Sequence, residues 1–195
     1  INFATSYTPK RKFINDMESS RNSYSTNFFS SSDSLLFQDF NIEIKRKLNK
    51  KVKLNLNYFN FKFNDNAVKV ANYYKMIYAH IVVLDLTYQF NRYHSIRFET
   101  QGMWTQQDKG NWAFGQIEYT FSPHWYLAIL DQYNYGNNNI EKRLHYGLIS
   151  GGYIDGSHRF SLQYGKQRAG VFCVGGVCRA VPASNGLTFS FTSSF

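Results

Sequence analysis

Apolar and polar residues alternate along most of this chain, and this alternation limits the possible fold more than any other feature. Near the C-terminus, Leu187, Phe189 and Phe191 fall on one side of an extended strand, and Thr188 and Ser190 fall on the other. Period-two alternation is typical of a β-strand with one apolar face. Because about ten such segments follow one another, the sequence predicts an all-β protein of antiparallel strands.

The connections between the predicted strands alternate in length. Short turns follow Lys47, Phe90, Phe121 and Ile154, and longer loops follow Tyr7, Phe63, Thr105, Tyr135 and Lys166. Short turns at one edge and longer loops at the other are typical of up-and-down transmembrane β-barrels. We therefore expect residues 1–195 to form a single barrel domain, or the C-terminal portion of a larger barrel. A soluble barrel or sandwich is the alternative, because alternation does not show which face points inward.

The composition agrees with a barrel. Aromatic residues make up 18% of the chain and the mean hydropathy is −0.44. No apolar run approaches the ~20 residues that a membrane helix needs, but membrane strands alternate and so average to near-neutral hydropathy. Several aromatic residues near the short turns suit an interfacial girdle: Tyr88, Phe90, Tyr119, Phe121, Trp125, Phe160 and Phe195.

The C-terminal strand resembles a known targeting signal. Its apolar side consists of Leu187, Phe189, Phe191 and the final Phe195. A last strand of alternating hydrophobic residues that ends in Phe resembles the sorting signal of bacterial outer-membrane β-barrels. This resemblance implies a bacterial outer membrane, with its lipids and the barrel assembly machinery as partners.

The net charge of +9 raises the question of nucleic-acid binding. The basic residues are spread over turns and strand faces, and no predicted helix is available to enter a groove. We therefore expect no nucleic-acid partner. The basic stretches 45–47 and 50–51 flank a turn, where they are either solvated or in contact with lipid phosphates.

The alternation changes phase once within a strand. Leu54, Leu56 and Tyr58 continue one apolar face, after which Phe59 and Phe61 carry the apolar positions. One extra residue in a strand produces such a change. The sequence therefore predicts a β-bulge at Tyr58 and Phe59.

If the apolar face meets lipid, the opposite face carries ten charged residues into the lumen. They are Asp39, Glu43, Lys45, Lys51, Lys53, Asp85, Arg97, Glu99, Glu118 and Arg159. Charges that face inward must be paired or hydrated. In a narrow ten-strand barrel we expect a structural salt-bridge network, and a selective channel is the alternative.

The two cysteines frame a short hairpin. Gly175 and Gly176 suit a two-residue turn, which places Cys173 opposite Cys178 at a distance that permits a disulfide. A metal or redox site is the alternative, but no His, Asp or Glu lies beside the cysteines. We expect a disulfide, and we expect no metal or other cofactor.

The end of the chain also resembles a protein family. The relevant residues are Gly165–Gly170, the hairpin from Cys173 to Cys178, Arg179, Val181–Ala183 and the final strand. Together they resemble an uncharacterised family of Bacteroidota outer-membrane proteins, a domain of unknown function whose members are generally longer. The resemblance implies a Gram-negative outer membrane and allows the chain to be the C-terminal part of a larger barrel. It implies no activity and no site.

No catalytic set stands out in the sequence. His145 can be combined with Ser150 or Asp131, but no nucleophile motif surrounds any serine, and we do not expect an enzyme. We expect a structural or accessory component of an outer-membrane protein complex that contacts other outer-membrane proteins through its exterior loops. A porin-like channel for small solutes is the first alternative, and an outer-membrane hydrolase is the second.

Overall fold

The structure is a computed structural model that describes residues 1–7, 35–64, 76–107 and 109–194. Its strands are β1 (Asn2–Tyr7), β2 (Leu35–Lys47), β3 (Val52–Phe63), β4 (Ile77–Gln89), β5 (His94–Trp104), β6 (Trp112–Phe121), β7 (Trp125–Tyr133), β8 (His145–Asp155), β9 (His158–Gln167), β10 (Gly170–Val174), β11 (Val177–Val181) and β12 (Ser184–Ser193). One 3-10 turn, Ile140–Lys142, precedes β8. Among the residues described, no helix has the length and apolar character needed to cross a membrane.

Ten of these strands form one antiparallel sheet. Its order is β1 to β9 followed by β12, so nearly every strand lies beside its neighbour in sequence. The remaining two strands, β10 and β11, pair with each other as a separate hairpin. The prediction of an all-β protein with about ten antiparallel strands is confirmed.

The connections alternate between the two ends of the strands. At one end, which we call the short-turn edge, lie the connections 48–51, 90–93, 122–124 and 156–157. The first turn is tight because the Asn49 side-chain oxygen accepts hydrogen bonds from the backbone N–H groups of Lys51 and Val52, both at 2.8 Å. The other end, the loop edge, carries the longer connections. Residues 8–34 and 65–75 of those connections lie outside the described residues, and so does Phe195.

The described strands do not close into a ring. β1 pairs with β2 and β12 pairs with β9, and these two edge strands are not joined to each other. The sheet is therefore an open meander, and the expected barrel closure is absent from the described part of the chain.

The register divides the side chains between two faces. We call one the hairpin face, because β10 and β11 pack on it; it carries Glu118, Leu130 and Leu148. The other, which we call the exposed face, carries Leu127 and Ile149. Side chains alternate between these faces along each strand, as a pleated backbone requires.

Strand β3 contains no bulge. Each residue of Val52–Phe63 has a partner in β4 in unbroken register, so the bulge predicted at Tyr58 and Phe59 is wrong. The change of phase in the sequence arises because the apolar residues lie on one face in the first half of the strand and on the other face in the second half. Leu54 lies on the exposed face near the short-turn edge, whereas Phe61 lies on the hairpin face near the loop edge.

Candidate functional site

The β10–β11 hairpin is closed by a disulfide bond. Cys173 and Cys178 are bonded and are also direct register partners. Gly175 and Gly176 form the turn with φ angles of +59° and +76°. These are the angles of a type I′ turn, which needs positive φ at both positions, and glycine adopts them without steric cost. The predicted hairpin and its disulfide are both confirmed.

Apolar side chains attach this hairpin to the sheet. Phe172 and Val174 are only 7% and 3% exposed, and they belong to one buried cluster with Tyr126, Leu130 and Leu148. Burying a side chain of this size contributes roughly 1.5–3 kcal/mol. The hairpin is therefore a second packed layer over the sheet.

Two charged side chains of the sheet hold the hairpin tip. The carboxylate of Glu118 accepts a hydrogen bond from the backbone N–H of Gly175 at 3.0 Å. The guanidinium of Arg159 donates to the carbonyl oxygens of Val174 at 2.6 Å and Gly175 at 3.1 Å. These bonds satisfy main-chain groups that the turn would otherwise leave unpaired in a partly buried position.

Gln116 completes this arrangement. Its side-chain amide donates to the carbonyl oxygen of Cys173 at 3.2 Å and to the Glu118 carboxylate at 3.3 Å. Gln116 and Glu118 are 4% and 5% exposed, so their hydrogen bonds compete little with water. Arg159 also lies over the Tyr126 ring, 5.0 Å from its centroid. We call Gln116, Glu118 and Arg159 the hairpin clamp.

A second charged group lies beside the clamp. Arg97 contacts the carboxylates of Asp85, at 2.6 Å, and Glu99. The Glu99 carboxylate also accepts a hydrogen bond from the Gln101 amide. Arg97 is the register partner of Glu118, so this group continues the polar surface from the clamp towards β4.

The ten charges predicted to face a lumen fall into several small groups. Nine of them lie on the hairpin face by register: Asp39, Glu43, Lys45, Lys53, Asp85, Arg97, Glu99, Glu118 and Arg159. Lys51 lies in the turn before β3. Lys45 pairs with Glu43 at 2.8 Å on an exposed part of this face, and Asp39 accepts a hydrogen bond from Asn41 at 3.1 Å. The role of these residues as a lumen network stays a prediction.

The exposed face carries a polar pair at the loop-edge ends of β7 and β8. Nδ1 of His145 lies 2.6 Å from a carboxylate oxygen of Asp131, and the imidazole stacks on the Tyr133 ring with centroids 4.0 Å apart. The cross-strand neighbours of Asp131 are Gly115 and Gly147, so the carboxylate is half-exposed. This is the Asp131–His145 combination that the sequence suggests.

Ser150 does not join this pair. It is fully buried on the hairpin face, where its hydroxyl accepts a hydrogen bond from the Gln163 amide at 3.3 Å. His145 lies on the opposite face of the same strand. The sheet therefore separates the serine from the histidine, and a catalytic set of His145 and Ser150 cannot assemble.

The rest of the exposed face is broadly apolar from β6 to β12. Its half-exposed side chains include Ile117, Leu127, Ile129, Ile149, Leu162, Leu187, Phe189 and Phe191. An apolar groove of about 700 Å³ runs across this face over Gly151. Aromatic rings lie near the short-turn edge, where Trp125 contacts Tyr153 and Phe160 contacts Phe191. The residues of the resembled sorting signal therefore belong to one apolar surface, apart from Phe195, which lies outside the described residues.

Sequence reasoning missed the clamp and the cluster beneath the hairpin. A signal was available in β8, where Tyr146, Leu148 and Ile154 share the face that is otherwise polar. Apolar residues at these positions indicate that something covers the polar face there. Phe172 and Val174 occupy the matching positions in the hairpin.

The fold and this site define a class of protein: an antiparallel meander of ten strands with a disulfide-closed hairpin clamped on one face. The chain belongs to a family of unknown function, DUF6029, whose sequence pattern matches residues 1–195. No curated protein and no solved structure matches the chain.

Proposed function

We propose that the chain forms the wall of a transmembrane β-barrel in a Gram-negative outer membrane. In this proposal the hairpin fills part of the interior, and the protein serves as a structural or accessory component of an outer-membrane complex. The observation that carries the proposal is that one face of the sheet is exposed and broadly apolar, whereas the other is polar and is covered by the clamped hairpin. We attribute the membrane to Bacteroidota on the resemblance of the C-terminal residues alone.

The exposed face supports the membrane part of this proposal. Leu127, Ile129 and Ile149 are each at least half exposed, and they are neighbours across β7 and β8. A contiguous apolar surface of this extent is unusual on a monomer in water and marks contact with a partner or a membrane. Transmembrane barrels carry such an apolar band outside and polar residues inside.

The open edges fit the same proposal if they are closed by further pairing. Unpaired backbone groups cost several kcal/mol each in lipid, so a sheet cannot present a free edge there. Strands β1 and β12 would pair with each other, or with strands beyond this sheet. Either arrangement leaves the hairpin inside.

The hairpin favours an accessory role over a channel. It covers β6 to β9 with a packed apolar layer and is fixed there by Glu118 and Arg159. A channel is the second candidate because Glu43, Lys45 and Lys53 provide a charged surface on the same face beyond the hairpin.

Substitution of Leu127 by Arg tests the membrane placement. If Leu127 faces lipid, Leu127→Arg destabilises the protein in phosphatidylcholine vesicles by about 2–4 kcal/mol. If it faces water, the substitution is nearly neutral, because the side chain is already 53% exposed. Reversible urea unfolding in vesicles measures the change. Gln106→Arg adds the same charge at an exposed position on the loop edge and is the control.

Planar-bilayer conductance tests whether the clamped hairpin prevents ions from passing through the interior. We expect no stable current steps from the unaltered protein. The double substitution Glu118→Gln and Arg159→Gln should produce them, because it releases the hairpin tip without changing the net charge. Glu43→Gln with Lys45→Gln is also charge-neutral, lies away from the hairpin and should leave the bilayer silent. Steady conductance by the unaltered protein would favour the channel instead.

A further inference from the structure

Positive charge is concentrated at the turn between β2 and β3. The cationic residues there are Lys45, Arg46, Lys47, Lys50, Lys51 and Lys53. Glu43 pairs with Lys45. Within the described ranges, no carboxylate pairs with Lys47, Lys50 or Lys53. The turn therefore carries an excess of charge that its own sequence does not neutralise.

Part of this charge surrounds a depression. Lys47, Asn49, Lys50, Lys53 and Gln89 line a cavity of about 610 Å³ that opens at the short-turn edge. Its lining offers three ammonium groups and two side-chain amides, and it includes no acidic residue. All five side chains can donate hydrogen bonds, so the chemistry of the lining favours an anion.

The register makes this arrangement costly without an anion. Lys47 and Lys53 are direct cross-strand partners. Like charges directly opposite each other destabilise a sheet. An anion between the two ammonium groups would replace this repulsion with attraction.

The turn holds one of the two side-chain amides of the lining in place. The side-chain oxygen of Asn49 accepts hydrogen bonds from the backbone N–H groups of Lys51 and Val52. Its NH₂ group therefore points away from those N–H groups and remains a donor. The backbone N–H of Gln89 donates to the carbonyl oxygen of Lys51 at 2.8 Å, which fixes β4 against the turn.

We propose that this depression is a binding site for the phosphate group of a soluble ligand that carries at least two negative charges. Lysine binds phosphate as a point charge, and a phosphate group carries up to two negative charges whereas a carboxylate carries one, so several lysines together match a phosphate better. The lining contains three lysines and no arginine. Lys47, Lys53 and Gln89 lie on the hairpin face by register, away from the apolar surface, which favours a soluble phosphate over a phospholipid headgroup. The site does not depend on the membrane placement proposed above.

The test is calorimetric titration of the full chain with pyrophosphate, in an uncharged maltoside detergent at low ionic strength. Lys53→Gln should weaken binding about tenfold, because it removes one charge-assisted contact. Lys51→Gln removes the same charge two positions away, but Lys51 does not line the depression. We expect Lys51→Gln to weaken binding by no more than about twofold, through the general field alone.

Three results would overturn the proposal. One is a lack of pyrophosphate binding by the unaltered protein. Another is an equal loss in the two variants, which would indicate a diffuse field and not a site. The third is dependence on Lys53 that appears with phosphatidylglycerol added to the micelles but not with pyrophosphate, which would assign the depression to a lipid headgroup. Circular dichroism of both variants checks that the exposed substitutions leave the sheet folded.

Discussion

The two halves of the sheet share one alternating pattern but differ in what covers them. In β6 to β9, the hairpin lies over the polar face and buries Tyr126, Leu130 and Leu148. In β2 to β5, the same face carries no fully buried side chain among the residues described. Alternation alone therefore produces a sheet with two half-exposed faces. A core appears only where a segment from elsewhere in the chain returns to cover one of them.

The two halves also differ in how polarity is distributed along the strands. In β6 and β7 the exposed face is apolar from the short-turn edge up to Asp131. In β3 and β4 it is apolar near the short turns but polar near the loop edge, where Asn60 and His80 are register partners. There the phenylalanines Phe59 and Phe61 lie on the other face. Strands β2 to β4 are also longer than β7, so they extend past the level at which the apolar surface of β7 ends.

The largest expected effect comes from emptying the core beneath the hairpin. Phe172→Ala should lower the free energy of unfolding by about 3 kcal/mol, because it removes a buried aromatic side chain and leaves a cavity. Phe61→Ala, in the other half, removes the same atoms from a half-exposed position and should cost about 1 kcal/mol. Urea unfolding of both variants in detergent micelles measures the difference. Equal losses would show that the hairpin adds no burial to its half of the sheet.

A smaller effect is expected where the two halves meet. Asp85 and Glu99 are direct cross-strand partners, and Arg97 lies between their carboxylates. Arg97→Gln should destabilise the protein by about 2 kcal/mol, a value below that for a fully buried pair because these side chains are partly exposed.

A second substitution separates charge from packing at this position. Adding Asp85→Asn to Arg97→Gln removes one of the two opposed carboxylates and should recover part of the lost stability, seen as a higher urea midpoint than that of Arg97→Gln alone. If the double variant is less stable than the single one, Arg97 acts through its packing and not through its charge.

Much of the fold could be predicted because its determinants are local. Period-two alternation locates the strands, and the glycine pair at 175–176 locates the hairpin turn and so the disulfide. Boundaries were less predictable: β6 begins at Trp112 and β12 at Ser184, where glycine and small polar residues obscure the alternation. The prediction of a bulge at Tyr58 and Phe59 was wrong. An extra residue in a strand gives the same sequence pattern as a switch of the apolar residues from one face to the other, and the sequence does not distinguish the two.

The strands, their order, the two faces and the closed hairpin follow from the amino-acid sequence, because each depends on residues a few positions apart. Which face the hairpin covers depends instead on contacts between distant parts of the chain. The Glu118 carboxylate and the Gly175 N–H that it binds lie 57 positions apart. The contact between Asp131 and His145 was likewise decided by the pairing of β7 with β8. Contacts across such distances depend on how the whole sheet positions its strands, and no local pattern records them.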